Sequence, residues 1–192
     1  MLVYYVHIDE DDATGMNAIS LVDFPAVQKN FLCFGKDEQK KLMFNDESKQ
    51  TITGVVALAD TPIYRYNPAM GEYYVVFSAD TIRKMIEKYS RQGLFNSINL
   101  DHDDNRYVDQ AFMLESYIVD KKRGICPVEF KDVPDGSWIC SFKIADKKLW
   151  NEIVNTDKYN GFSLQGLFDL VDPEQFKQID PIDLLIEQCL EK

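Results

Sequence analysis

Ile52-Thr53-Gly54-Val55-Val56-Ala57-Leu58-Ala59 is an apolar run rich in β-branched residues, and Asp60-Thr61-Pro62 closes it. A run of that length and composition reads as a buried strand. Working outward, Tyr64 and Tyr66 lead into the turn Asn67-Pro68-Ala69-Met70-Gly71 and then Glu72-Tyr73-Tyr74-Val75-Val76-Phe77, which predicts a hairpin with aromatic arms. Ser78 or Asp80 then caps a helix whose apolar face is Ile82, Met85, Ile86 and Tyr89, with Gly93 ending it. Ser97–His102 and Ala111–Val119 read as the two strands of a second hairpin centred near Val108. Ser137–Ile144 follows the turn Val133-Pro134-Asp135-Gly136 as another strand, and Asp146 caps a helix with Leu149, Trp150, Ile153 and Val154 on its apolar side. Upstream, Val3–Ile8 and Ala18–Val22 read as strands. Strands in meander with helices inserted predict a mainly β, α+β fold, a mixed barrel or sheet rather than alternating βαβ units.

The chain has 192 residues, enough for one ordinary domain spanning 1–192. Two segments depart from that pattern. Residues 35–50 form a polar excursion rich in Lys and Glu, and Asp180-Pro181 opens a C-terminal amphipathic helix over 180–192 with Ile182, Leu185, Ile186, Cys189 and Leu190 on one face. A net charge of −11 argues against a general nucleic-acid binder, because phosphate contacts need clustered Lys and Arg. No apolar stretch has the length of a membrane span, and the N-terminus lacks the layout of a signal peptide. Cys33, Cys126, Cys140 and Cys189 form no CxxC pair, so reduced thiols in a cytoplasmic compartment are expected, with no metal and no cofactor.

Ser163 lies in Asn160-Gly161-Phe162-Ser163-Leu164-Gln165-Gly166, with glycine two residues before it and three after. Glycines so placed let the backbone turn sharply or lie very close to a neighbour. A serine hydroxyl attacks only when a base takes its proton, and histidine is the usual base near neutral pH. The chain has two histidines, and His102 sits in Ile98-Asn99-Leu100-Asp101-His102-Asp103. In the second hairpin, Glu115 would face His102 across the strand pair and could hold its tautomer. Asp101 and Asp103, adjacent in the chain, would point away from it. A calcium loop starting at Asp101 fails where Arg106 replaces the required glycine and Phe112 the bidentate glutamate. The serine run is not a hydrolase nucleophile elbow, since Gln165 stands where the second glycine belongs.

The chain resembles the XkdF-like serine proteases of tailed phages, in the prohead (capsid maturation) protease group related to the herpesvirus assemblins. The likeness is carried by Gly15-Met16-Asn17-Ala18-Ile19-Ser20-Leu21-Val22-Asp23, Gly54-Val55-Val56-Ala57-Leu58, Pro62-Ile63-Tyr64-Arg65 and Tyr73-Tyr74-Val75-Val76-Phe77-Ser78. Asn99-Leu100-Asp101-His102-Asp103, Glu115-Ser116-Tyr117-Ile118-Val119-Asp120, Gly136-Ser137-Trp138 and Gly161-Phe162-Ser163 complete it, over roughly residues 1–170. The resemblance implies a small antiparallel β-barrel with surrounding helices, herpesvirus-protease-like. It implies a serine endopeptidase, with Ser163 as nucleophile, His102 as general base and Glu115 at the acidic position. Scaffold and major capsid proteins would be its substrates inside the assembling prohead in the host cytoplasm. Self-association as a homo-oligomer, a dimer, is implied as well, and the terminal helix from Asp180 is the candidate surface for it. In many family members an acid stands at the place Gln165 occupies here. Two other readings compete: a non-catalytic scaffold- or virion-associated binding protein, and a metal-dependent hydrolase using His102 with Asp101, Asp103 or Asp104.

Overall fold

A computed structural model describes residues 2–9, 13–26, 32–34, 49–156 and 158–179. In chain order the strands are β1 (Leu2–His7), β2 (Gly15–Val22), β3 (Leu32–Phe34), β4 (Thr51–Ala57), β5 (Ile63–Asn67) and β6 (Gly71–Val76). Helix α1 (Ala79–Arg91) precedes β7 (Ile98–Leu100), β8 (Asp103–Tyr107), β9 (Ala111–Ile118) and β10 (Trp138–Ile144). Helix α2 (Lys147–Asn155), β11 (Gly161–Leu167), β12 (Asp169–Val171) and α3 (Pro173–Ile179) follow. Among the described residues the strands assemble into three four-stranded sheets, ordered β12-β1-β6-β5, β3-β4-β10-β9 and β11-β2-β7-β8.

The mainly β expectation is met; the closed antiparallel barrel is not. Two strand pairs, β1 with β6 and β2 with β7, are parallel, and none of the three sheets closes on itself. Parallel neighbours cannot be joined by a tight turn and need a crossover. Here β1 leads to β2 and β6 leads through α1 to β7, so two chain segments run side by side from the first sheet into the third. The β11–β12 segment runs back the other way, antiparallel to β2 and to β1.

β4 is buried on both faces, with Ile52, Val55, Val56 and Ala57 all fully covered, which is why its sequence is a continuous apolar run rather than an alternating one. Burial of such side chains contributes on the order of 1.5–3 kcal/mol each. Phe142 of β10 meets Phe162 of β11 at 5.3 Å between ring centroids, fixing the core face of the strand that carries Ser163. Tyr89 of α1 packs edge-on against Trp138 at 5.7 Å. Both helix caps read from the sequence form: the Ser78 side chain accepts from the Thr81 N–H, and Asp146 accepts from the N–H groups of Lys148 and Leu149. On α1, Ile82, Met85 and Tyr89 are buried as expected.

The second predicted hairpin is corrected. β7 turns at Asp101-His102 and pairs with β8, whereas β9 pairs with β10. The error lay in treating Asp101 and His102 as strand; both adopt positive φ (57° and 59°), and two such residues between paired strands make a tight two-residue turn. The 180–192 helix, and all of the 35–50 excursion except its last two residues, lie outside the described residues.

Of the two glycines bracketing Ser163, Gly166 shows the close approach. A β-carbon there would lie 2.1 Å from the Gly15 carbonyl oxygen and 2.8 Å from the Met16 Cα. The β2–β11 register shifts between Gln165 and Gly166, a bulge that re-aims the side chain beside it. Gly166→Ala should therefore lose about 1–3 kcal/mol, the usual range for forcing extra atoms into packed structure. Urea unfolding with an unchanged slope and a lowered midpoint is the expected result; an unchanged midpoint would contradict the close approach.

Candidate active site

Ser163 lies in mid-strand on β11, opposite Ser20 of β2, and Ser20 in turn lies opposite Asn99 of β7. Opposed residues share a face at a spacing of about 4.5–5.5 Å. Phe162 and Ser163 are sequence neighbours, so with Phe162 facing the aromatic core, Ser163 faces the other way. Ser163, Ser20 and Asn99 thus form a polar row across one face of the third sheet.

The turn at Asp101-His102 folds the imidazole onto that row. His102 Nδ1 lies 2.9 Å from the Ser20 hydroxyl. Ser20 Oγ is also 2.6 Å from Asn99 Oδ1 and 3.2 Å from Gln165 Oε1, and Asn99 Nδ2 donates to Gln165 Oε1 at 2.5 Å. Gln165 Nε2 donates to Asp104 Oδ1 at 2.6 Å.

The direction of every bond in this chain follows from its last member. An ionised carboxylate can only accept, so Asp104 draws the NH2 side of Gln165 and leaves the amide oxygen facing inward. That oxygen also only accepts, so Asn99 must present its NH2 to it and its own oxygen to Ser20. Ser20 has a single proton, and it goes to Asn99. The Ser20 oxygen therefore accepts from His102, which places the ring proton on Nδ1. Nε2 is left as the basic nitrogen. This tautomer is the one a general base of a serine nucleophile requires.

His102 sits in the turn with the Nδ1 edge of its ring against Ser20. Partial burial lowers its pKa from the ordinary value, and the Arg65 guanidinium lowers it further; Asp101 and the Gln165 side chain act the other way. The net shift is downward, so the ring is mainly neutral near pH 7. Because the folded form holds its proton less well than the unfolded chain, His102 favours folding above the usual imidazole range and withdraws that contribution as pH falls below it.

The direct Ser163–His102 hydrogen bond expected from sequence is not made. The imidazole contacts Ser20 instead, and among the described residues no side-chain partner holds the Ser163 hydroxyl. Accessibility separates the two serines: Ser20 is fully covered, whereas Ser163 keeps 9% of its surface and lines a cavity of about 380 Å³. Catalytic hydrogen bonds are often unformed before substrate binds.

Glu115 does not occupy the acidic position. In β9 it pairs opposite Ser141 of β10, and its carboxylate accepts from the Ser141 hydroxyl, which is itself 2.7 Å from Thr53 Oγ1. The hairpin that would have set it beside His102 does not form. Nor do the neighbouring aspartates gather around the ring. Asp101 pairs with Arg106 at 2.8 Å, Asp103 accepts from Asn105, and Asp104 accepts from Gln165. Among the described residues no three His, Cys, Asp or Glu side chains cluster as metal ligands.

Ser20 and Asn99 were not singled out by chemistry in the sequence. Their signal was a polar residue inside an apolar run, Ile19-Ser20-Leu21 and Ile98-Asn99-Leu100, where burial demands partners.

A family model described as putative phage serine protease XkdF matches residues 38–172, most of the chain. The chain belongs to the XkdF family. The matched span includes Ser163, His102 and the whole Asn99–Gln165–Asp104 part of the chain of bonds. No curated protein and no solved structure matches the chain.

Substitution at 102 tests the turn. Gly tolerates positive φ freely, whereas a residue with a β-carbon carries a cost of about 1–2 kcal/mol there. His102→Gly and His102→Ala both remove the ring, so His102→Gly should be the more stable by about 1 kcal/mol in thermal or urea unfolding. The usual opposite order, Ala above Gly, would contradict the turn geometry.

Proposed function

We propose that this protein is a serine endopeptidase of the phage prohead, cleaving scaffold and capsid precursor proteins during maturation. The observation that carries the reading is the one-way chain from Asp104 to His102, which sets Nδ1 against the polar row that includes Ser163 and leaves Nε2 as the basic nitrogen. Family membership supports the reaction class. In this mechanism Nε2 takes the Ser163 proton as the hydroxyl attacks a peptide carbonyl, and the imidazolium formed is held by the Ser20 oxygen at Nδ1. β11 is the edge strand of its sheet, so its outward N–H groups are the candidate oxyanion donors. A donor of that kind lowers the barrier by roughly 3 kcal/mol.

Ser20 is a positioning residue in this account. Its proton is committed to Asn99 and it has no exposed surface, so it is badly placed to attack a substrate. A herpesvirus-protease-like arrangement of the sheets, a location inside the prohead and dimerisation through the terminal helix belong to the same proposal. A non-catalytic scaffold protein would need none of the directed bonding at His102.

A serine-directed phosphonate should label Ser163, found by mass spectrometry of the digested adduct. Labelling should vanish in Ser163→Ala and fall at least about a hundredfold in His102→Ala, in line with the usual contribution of a general base. Label on Ser20 would reverse the assignment of the two serines, and no label at all in folded protein would favour the binding-protein reading.

A further inference from the structure

The cavity beside Ser163 is walled by apolar groups from two sheets, among them Ile63 of β5, Val75 of β6, and Phe162 and Leu164 of β11. Arg65 is the one charged residue among those lining it. Its guanidinium carries N–H donors in a planar fork, yet the hydrogen bond it makes is to the Tyr64 carbonyl at 3.1 Å. No carboxylate pairs with it among the described residues, although the chain holds 32 acidic residues against 21 basic ones. Arg106 and Lys158, by contrast, each hold a carboxylate within 2.9 Å. Partial burial also makes the Arg65 guanidinium a weaker proton holder than usual, the mark of a desolvated charge. A partly buried cation without a counter-charge is unfavourable, and a ligand carboxylate meeting the fork in bidentate fashion would offset that cost.

We propose that this cavity is the subsite for the side chain next to the scissile bond, and that it selects glutamate. The aliphatic stem would lie against Ile63 and Val75, and the carboxylate would pair with Arg65. A basic side chain would meet like charge in an apolar enclosure and be rejected. The inference rests on Ser163 being the nucleophile; it adds which polypeptides that nucleophile meets.

Three peptidyl diphenyl phosphonates, identical except for a Glu, Gln or Lys side chain beside phosphorus, separate the two claims. In the native protein the rate of Ser163 labelling should fall in the order Glu, Gln, Lys, with Glu ahead of Gln by about ten- to a hundredfold, the usual worth of a charge-assisted bond. Arg65→Gln should bring Glu and Gln together, and Arg65→Glu should place Lys ahead of Glu. Equal rates for Glu and Gln in the native protein would overturn the subsite while leaving the nucleophile standing. So would a uniform fall for all three in Arg65→Gln with their order kept, which would put Arg65 at the reacting centre instead. Absence of labelling by all three in cooperatively melting protein would overturn the nucleophile, and this subsite with it. Should the Arg65 variants fail to fold, the native Glu-to-Gln ratio decides alone.

Discussion

Asp104 accepts one hydrogen bond from Gln165, and a carboxylate cannot reverse that bond. Everything at the site inherits its direction. Gln165 must turn its oxygen inward, Asn99 must answer with its NH2, Ser20 must give its proton to Asn99, and His102 must keep a proton on Nδ1. In a triad the acid sits against the imidazole itself. Here the acid is exposed at the surface, and two amides and a hydroxyl carry its preference inward. Gln165 serves as the link between Asp104 and the buried Asn99.

The fold is arranged around that chain at some cost. Asp101 and His102 both sit at positive φ, a strain of about 1–3 kcal/mol for each non-glycine residue so held. Ser20 and Asn99 are fully buried polar groups, each of which would cost about 1–3 kcal/mol if left without a partner. Parallel pairing of β2 with β7 sets Ser20 beside Asn99, antiparallel pairing of β2 with β11 sets Ser163 beside Ser20, and the bulge after Gln165 lets that amide reach both Asn99 and Asp104. The turn then closes the ring over the row. Remove any one of these and the others lose their purpose.

Most of the strands and both capped helices were legible in the sequence, because each rests on local signals: apolar runs and cap residues. What was not legible is non-local. Asp101-His102 carries no Gly or Asn to announce a tight turn, so the segment read as strand and Glu115 was set opposite the wrong partner. Parallel pairing leaves no local mark, and so the barrel was expected where three open sheets stand. Ser20 and Asn99 were visible as polar residues within apolar runs, but only the sheet order shows that they answer each other.

The account is tested most directly by the protonation of His102 itself. With one other histidine, His7, in the chain, ¹⁵N spectra of the labelled protein and of a His7 variant assign the ring unambiguously. At a pH above its titration, the account predicts a protonated Nδ1 and a bare Nε2. A ring carrying its proton on Nε2 would mean that the chain of bonds runs the other way, and the base assigned to Ser163 would be lost.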